Sequence, residues 1–134
     1  MAALAVLLLF CACASVAEIS EELSPAEIIQ RAQEASDRNR YGTALQFYQA
    51  LLERNRGNID LVITAEYEIA FIHYKQKKYQ QAREGLNGVL EYYNTPDEEL
   101  LPQQFKRLAQ IVLGSIDEKE KSRTLFSRNK DKAT

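Results

Sequence analysis

Few side chains of this 134-residue sequence have a type and spacing that could perform chemistry. The single histidine, His73, stands between Ile72 and Tyr74, and no cysteine follows residue 17, so no thiol is available to it as a nucleophile. We therefore interpret His73 as a hydrogen-bonded packing residue rather than a base. Glu66 and Glu68 are two residues apart on one predicted helix, so they face different directions and form no acid–base pair. These patterns predict that the chain is not an enzyme and has no catalytic residue.

Composition also argues against several kinds of site and partner. Both cysteines, Cys11 and Cys13, lie in an N-terminal apolar run, so the rest of the chain has no thiol for a disulfide or a cysteine zinc site. The five glycines are scattered and form no phosphate loop, and we predict no metal and no cofactor. A net charge of -2 lacks the basic excess that binds phosphate backbones, so no nucleic acid partner is expected. The basic stretch Lys75 to Lys78 is interpreted as a solvated turn, with an anionic partner there as the alternative.

The N-terminal residues predict export. Ala2 to Phe10 form an apolar run that is too short to span a bilayer but typical of a signal peptide, which we place at residues 1–17. Ala12 and Cys13 resemble the end of a bacterial lipobox, which implies lipidation at Cys13 and a membrane-anchored lipoprotein of the cell envelope that faces the periplasm. The alternative is cleavage after Ala17, which would give a soluble periplasmic or secreted protein that begins at Glu18.

The body of the chain is predicted to be all-α. After a linker at 18–23, Ser24-Pro25-Ala26-Glu27 combines a hydroxyl cap, an N-terminal proline and a capping-box glutamate, so a helix begins at about residue 25. Gly57 is expected to end the second helix in the left-handed conformation. Apolar spacing predicts that residues 24–94 form two helical hairpins, whose other three helices span about 41 to 53, 60 to 76 and 79 to 93. The third helix is apolar on nearly every side, which predicts packing on several sides.

The two hairpins are similar in sequence. YGTALQFYQALLE at 41–53 and YQQAREGLNGVLE at 79–91 match at Tyr, Ala, Leu and Glu, with a period of 38 residues. The same offset pairs Ala32 with Ala70, where a short side chain would let two helices approach closely. The chain therefore contains an internal repeat.

These residues resemble the tetratricopeptide repeat (TPR) family. Its characteristic aromatic, alanine and apolar positions are filled by Tyr41, Ala44 and Tyr48 in the first unit and by Tyr79, Ala82 and Leu86 in the second. The longer period is similar to that of bacterial envelope TPR lipoproteins of the BamD and Tol-associated coordinator type. The resemblance implies a short solenoid of two hairpins.

A C-terminal helix is predicted to cap this solenoid. Thr95 to Glu98 resemble a second capping box, and Pro102 would break a helix begun there, so the main helix is placed from Pro102 to Glu118 within a capping region at 95–119. Its apolar stripe would cover the open end of the array. The stripe consists of Phe105, Leu108, Ala109, Val112 and Ile116. Residues 120–134 are polar and are predicted to be a flexible tail.

One aromatic stripe suggests a binding surface. Tyr67, Phe71 and Tyr74 are four and three residues apart, so they share a face of the third helix. In the TPR family the corresponding face lines a groove for peptides, which makes these residues the candidate binding site; the alternative is that they pack inside the fold. The expected function is a non-catalytic scaffold or adaptor that binds a protein or peptide partner in the envelope. The alternative is an accessory subunit of an envelope transporter that handles peptide or small solute.

Overall fold

The computed structural model describes the backbone of residues 19–131 and the side chains of residues 19–128. Within this range the chain is all-α, as predicted, and contains no strand. Its helices are α1 (Pro25–Asp37), α2 (Tyr41–Arg54), α3 (Ile59–Lys75), α4 (Tyr79–Glu91), a 3-10 helix (Glu98–Leu100) and α5 (Gln103–Asp131). The predicted signal peptide, with Cys13 and the alternative cleavage site after Ala17, lies outside the described residues.

Side-chain capping explains why α1 begins at the predicted residue. The Ser24 hydroxyl accepts a hydrogen bond from the Glu27 amide at 3.4 Å, and the Glu27 carboxylate accepts one from the Ser24 amide at 2.9 Å. Pro25 occupies the first helical position, where the N–H that it lacks would have no partner. An N-cap of this kind typically contributes about 1 kcal/mol of stability, so local sequence fixes this helix end.

The segment before α1, predicted as a linker, is tied to the second helix. The Arg54 guanidinium donates hydrogen bonds to the carbonyls of Ile19 at 2.9 Å and Ser20 at 3.0 Å. Ile19 and Leu23 also pack against the buried side chains of the first hairpin. Residues 19–23 therefore follow the surface of the first hairpin.

Both hairpins turn in the same way, which confirms the 38-residue period. Asn39 and Lys77 are separated by that period and have positive φ values of 57° and 62°. The amide of the residue that follows Asn39 donates a hydrogen bond to the carbonyl four residues before Asn39, at 2.8 Å. The equivalent bond around Lys77 is 2.9 Å long. This bond pattern ends a helix and redirects the chain. The following helices consequently begin at equivalent residues, Tyr41 and Tyr79.

Two groups of buried side chains form the core, and α3 belongs to both. The first group joins α1, α2 and α3 and includes the fully buried Tyr48 and Ile72. The second joins α3, α4 and α5 and includes the fully buried Ile63 and Ile116. The prediction that the third helix is packed on several sides is confirmed.

A small-residue contact holds α3 and α4 close together. Ala70 is buried, and a Cβ atom added to Gly85 would lie only 2.8 Å from the Cβ of Ala70. Glycine at 85 therefore permits a backbone approach that any side chain would obstruct. The close approach predicted at Ala70 is confirmed, but the repeat alignment gave no indication of Gly85, because Phe47 stands at the equivalent position of the first hairpin.

α5 packs against α3 and α4, but its predicted end is wrong. The helix continues to Asp131, through most of the region predicted as a flexible tail at 120–134. No glycine or proline follows Gly114 to interrupt the helix, and five of the twelve residues from 120 to 131 are Lys, Glu or Arg, which are good helix formers. Residues 132–134 lie outside the described residues. Of the predicted apolar stripe, Leu108 is exposed, whereas Ala109 and Val112 are buried.

Two predicted helix-end devices are also wrong. No described glycine has a positive φ, so Gly57 does not end α2 in the left-handed conformation; the Asn55 side chain instead donates to the Leu51 carbonyl at 2.8 Å. The second predicted capping box forms no side-chain cap. Its Glu98 carboxylate pairs with Lys106 of α5, so a tertiary ion pair takes the place of the local cap.

Candidate functional site

The predicted aromatic stripe forms a ladder of rings along α3. The ring centroids of Tyr67 and Phe71 are 5.9 Å apart, as are those of Phe71 and Tyr74, and both pairs are stacked. Phe105 of α5 continues the ladder at 5.2 Å from Tyr67, and Tyr79 of α4 continues it at 6.0 Å from Tyr74. Aromatic contacts of this kind stabilise the packing of α3 against its neighbours.

Tyr67 cannot serve as a contact residue, which corrects one of the three predicted binding residues. Its side chain is only 4% exposed because α5 packs over it, and burial raises the pKa of Tyr67 to about 12. Phe71 and Tyr74 remain half-buried, so part of each ring is accessible. Helical spacing showed that the three rings share a face, but it could not show that α5 covers one end of that face.

A polar pocket lies beside the accessible part of this stripe. It has a volume of about 260 Å³ and is bordered by α1 and α3, with Tyr48 of α2 also lining it. We call this surface the A face; its other lining residues are Gln33, Ser36 and Asp37 of α1 and Glu68, Phe71 and Lys75 of α3. Phe71 is thus shared between the predicted stripe and the pocket.

Lys75 provides the positive charge of the A face. Its ammonium donates to the Ser36 hydroxyl at 2.8 Å and lies 5.4 Å and 5.8 Å from the ring centroids of Phe71 and Tyr41. Within the described residues it forms no ion pair within 4.0 Å. The interpretation of this lysine as part of a solvated turn is therefore wrong, because it is the last residue of α3 and folds back onto α1.

Two acidic groups of the pocket, the buried Tyr48 and the half-buried Glu68, have shifted pKa values. Burial raises the pKa of Tyr48, whose hydroxyl is buried and has no hydrogen-bond partner among the described residues. Burial likewise raises the pKa of Glu68, against the opposing influence of the Lys75 ammonium. Glu68 lies near enough to Tyr48 for the two groups to affect each other's pKa, but their oxygen atoms do not reach hydrogen-bond geometry. The pocket therefore combines a cation, carboxylates and an unpartnered hydroxyl beside an aromatic ring.

A second depression runs along the opposite side of α3, between α2 and α4. It comprises adjoining cavities of about 400 Å³ and 420 Å³ that share Leu52 and Glu66, and we call it the outer groove. His73 lines this groove, and its buried Nδ1 atom has no hydrogen-bond partner among the described residues. The predicted hydrogen bond of His73 is thus absent at Nδ1. Glu66 accepts a hydrogen bond from the Tyr92 hydroxyl at 3.1 Å, whereas Glu68 lines the A face, so the two carboxylates are separated as predicted.

Comparisons with known proteins identify one relative. A curated protein of Treponema pallidum (strain Nichols), described as "Uncharacterized protein", is 36% identical over 108 residues, which cover 78% of this chain and 43% of the relative. The chain thus spans less than half the length of that relative. No family model matches the chain, and no solved structure matches it.

Residues 19–131 also contain no arrangement typical of a metal centre or a membrane span. No group of three or more His, Cys, Asp or Glu side chains in this range could hold a metal ion. None of the helices in the same range is long and apolar enough to cross a membrane. Sequence reasoning identified Phe71 as a binding residue and gave an anionic partner at Lys75 to Lys78 as an alternative. It missed Ser36 and Tyr48, because helical spacing gave no sign that either lines a pocket.

Proposed function

We propose that this chain is a non-catalytic scaffold that binds a peptide segment of a partner protein at the A face. The observation that supports this most is the pocket in which Lys75 and Glu68 lie beside the Phe71 ring. Binding sites characteristically combine an apolar surface with a few fixed polar groups that orient the ligand. A peptide offers both backbone polar groups and side chains to such a surface.

Preorganisation supports binding at this site. Lys75 is held by the Ser36 hydroxyl and by two rings, so little side-chain freedom remains to be lost when a ligand carboxylate or carbonyl approaches. Glu68 is half-buried at the same pocket, so its carboxylate can accept a hydrogen bond from a ligand N–H group. The half-buried Phe71 offers apolar contact at low entropic cost.

We also propose that the protein acts in a bacterial cell envelope, anchored by lipid at Cys13. The apolar run that ends at Ala12 and Cys13 supports this proposal. Metabolic labelling with a fatty acid tests it: Cys13→Ser is expected to abolish labelling and to release the protein from membranes. Unchanged labelling of Cys13→Ser, or a mature N-terminus at Glu18, would contradict the lipid anchor.

Peptide binding is tested with the full chain in mild detergent. Peptides are selected from a displayed random library, and their affinities for wild type and variants are measured by fluorescence anisotropy. Lys75→Gln is expected to lower the affinity for the selected peptides by about tenfold or more, which is the loss typical of a well-buried polar contact. Lys78→Gln is the matched control, because Lys78 is exposed and does not line the pocket.

Either of two results would overturn this proposal. If no peptide is selected, or if selected peptides bind Lys75→Gln and Lys78→Gln equally well, the A face is not the binding site. Circular dichroism of each variant separates a loss of binding from a loss of helical structure.

A further inference from the structure

We propose that copies of this chain associate head to tail, with the end of α5 from one copy lying in the outer groove of the next. The inference goes beyond peptide binding at the A face and does not depend on it. It rests on two surfaces of the same chain that complement each other. We call residues 121–128 the donor segment.

The donor segment projects from the body of the molecule. The last interactions that tie α5 to the rest of the structure are ion pairs of Arg83 with Asp117 and Glu120, each at 2.7 Å. Every side chain from Asp117 to Arg128 is exposed. The end of a helix frays when it has no tertiary contacts, so this segment gains stability by packing against another surface.

An apolar pair marks the part of the donor segment that would be buried. Leu125 is 49% exposed and Phe126 is 75% exposed, although the surrounding residues are polar. Consecutive residues lie about 100° apart around a helix, so the two side chains together form an apolar ridge over a little more than a quarter of its circumference. An exposed aromatic next to an aliphatic side chain is a suitable anchor for an interface.

Positive charge borders this ridge on both sides. The donor segment contains three cations and no carboxylate. Helical spacing places Lys121 and Arg128 next to Leu125 and places Arg123 next to Phe126. The segment therefore presents an apolar ridge between two basic edges.

The outer groove has the opposite pattern. Leu52, Val62 and Ile69 supply apolar lining, and carboxylates are contributed by all three helices that border the groove. They are Glu53 of α2, Glu66 of α3 and Glu84 of α4. Arg56 is the one Lys or Arg among the described lining residues. An apolar floor with acidic borders complements the donor segment and also favours correct orientation during encounter.

Gly88 gives a separate reason to expect a helix in the groove. Glycine inside a helix costs about 0.5–1 kcal/mol relative to alanine. The close contact with Ala70 accounts for Gly85, but a Cβ atom added to Gly88 would have nothing within 4 Å. Gly88 lines the groove, whereas Ala50 stands at the equivalent position of the first hairpin. Absence of a side chain there leaves the backbone of α4 open to close approach by another helix.

The geometry predicts an assembly larger than a dimer. The donor segment and the outer groove are different surfaces, so a junction between two copies leaves one free donor and one free groove. The wild-type protein is therefore expected to form either closed rings or growing chains of copies. Because the contact joins basic to acidic groups at the surface, association should weaken as salt concentration rises.

Mixing two defective variants provides the decisive test. The donor variant carries Leu125→Glu and Phe126→Glu; the acceptor variant carries Gly88→Trp, which fills the groove at a position with free space around it. Molecular mass is measured by analytical ultracentrifugation of the full chains in mild detergent. Each variant alone is expected to be monomeric, whereas the equimolar mixture should form a dimer and nothing larger, because only one junction is possible. All samples share the same N-terminal residues, so association through those residues cannot produce this contrast.

Matched controls separate the junction from general effects of the substitutions. Gly114→Trp places the same indole on a helix position with free space, and Leu100→Glu removes an apolar residue that is 82% exposed elsewhere. Both controls should associate like wild type. Glu84→Lys, an exposed change that leaves the apolar lining intact, should weaken association by about tenfold or more.

The proposal fails if wild type is monomeric at every concentration, or if the donor and acceptor variants do not pair when mixed. It also fails if the donor variant still forms large assemblies by itself. Circular dichroism and thermal unfolding confirm that each variant is folded. If Gly88→Trp does not fold, Glu84→Lys replaces it as the acceptor defect, at a protein concentration at which Glu84→Lys does not associate by itself.

Discussion

Two glycines of α4 should respond in opposite directions to the same substitution. Gly85 faces Ala70, where an added Cβ atom would lie 2.8 Å from the existing one, whereas an added Cβ atom at Gly88 has nothing within 4 Å. Replacing glycine by alanine inside a helix stabilises it by about 0.5–1 kcal/mol when space is available. Gly88→Ala should therefore raise the free energy of unfolding by about that amount.

Gly85→Ala has the same benefit to the helix but adds a steric conflict. Overpacking a close helix contact typically costs about 1–3 kcal/mol, so the net change is expected to be a loss of up to about 2.5 kcal/mol. The difference between the two variants isolates the steric cost, because the helix-propensity benefit is common to both. Ala70→Leu enlarges the same contact from the α3 side and should also cost about 1–3 kcal/mol.

Urea and thermal unfolding followed by circular dichroism measure these changes. A difference of 1 kcal/mol corresponds to a shift of roughly 4 °C in Tm for a domain of this size. Combining Gly85→Ala with Ala70→Gly moves the methyl group across the contact, so the double variant should recover most of the steric loss. Equal stabilisation by Gly85→Ala and Gly88→Ala would refute the close approach of α3 and α4.

Three further predictions concern single side chains. Tyr67→Ala should destabilise the fold by about 3–5 kcal/mol in urea unfolding, because it removes a buried ring; a loss below about 1 kcal/mol would show that α5 does not cover it. Burial raises the pKa of Glu68 above its ordinary value of 4.5, so ionisation of this carboxyl group opposes folding. The free energy of unfolding of the wild type should therefore fall, relative to that of Glu68→Gln, as the pH rises above 4.5. Parallel pH profiles of the two proteins would contradict this. Lys77→Gly should stabilise the second hairpin by up to about 1 kcal/mol in thermal unfolding, because Lys77 has a positive φ, whereas Lys78→Gly, at a φ of -83°, should give no gain.

Local sequence determined the helices and the repeat. The Ser24–Glu27 capping box acts over three residues, so the start of α1 could be predicted without knowledge of the fold. The 38-residue period likewise predicted two similar hairpins, because the turns that join their helices are built from short-range backbone bonds around Asn39 and Lys77. The formation of each helix and its pairing into a hairpin depend on interactions between residues close in sequence, so both can be predicted from one amino-acid sequence.

Tertiary packing decided which side chains form surfaces. Spacing placed Tyr67, Phe71 and Tyr74 on one face of α3, but only the position of α5 determined that Tyr67 is buried while the other two stay accessible. The A-face pocket brings Ser36 within 2.8 Å of Lys75, although the two residues are 39 positions apart. No sequence period encodes such a contact, because it depends on how far apart packed helices lie and on which side chains fill the space between them.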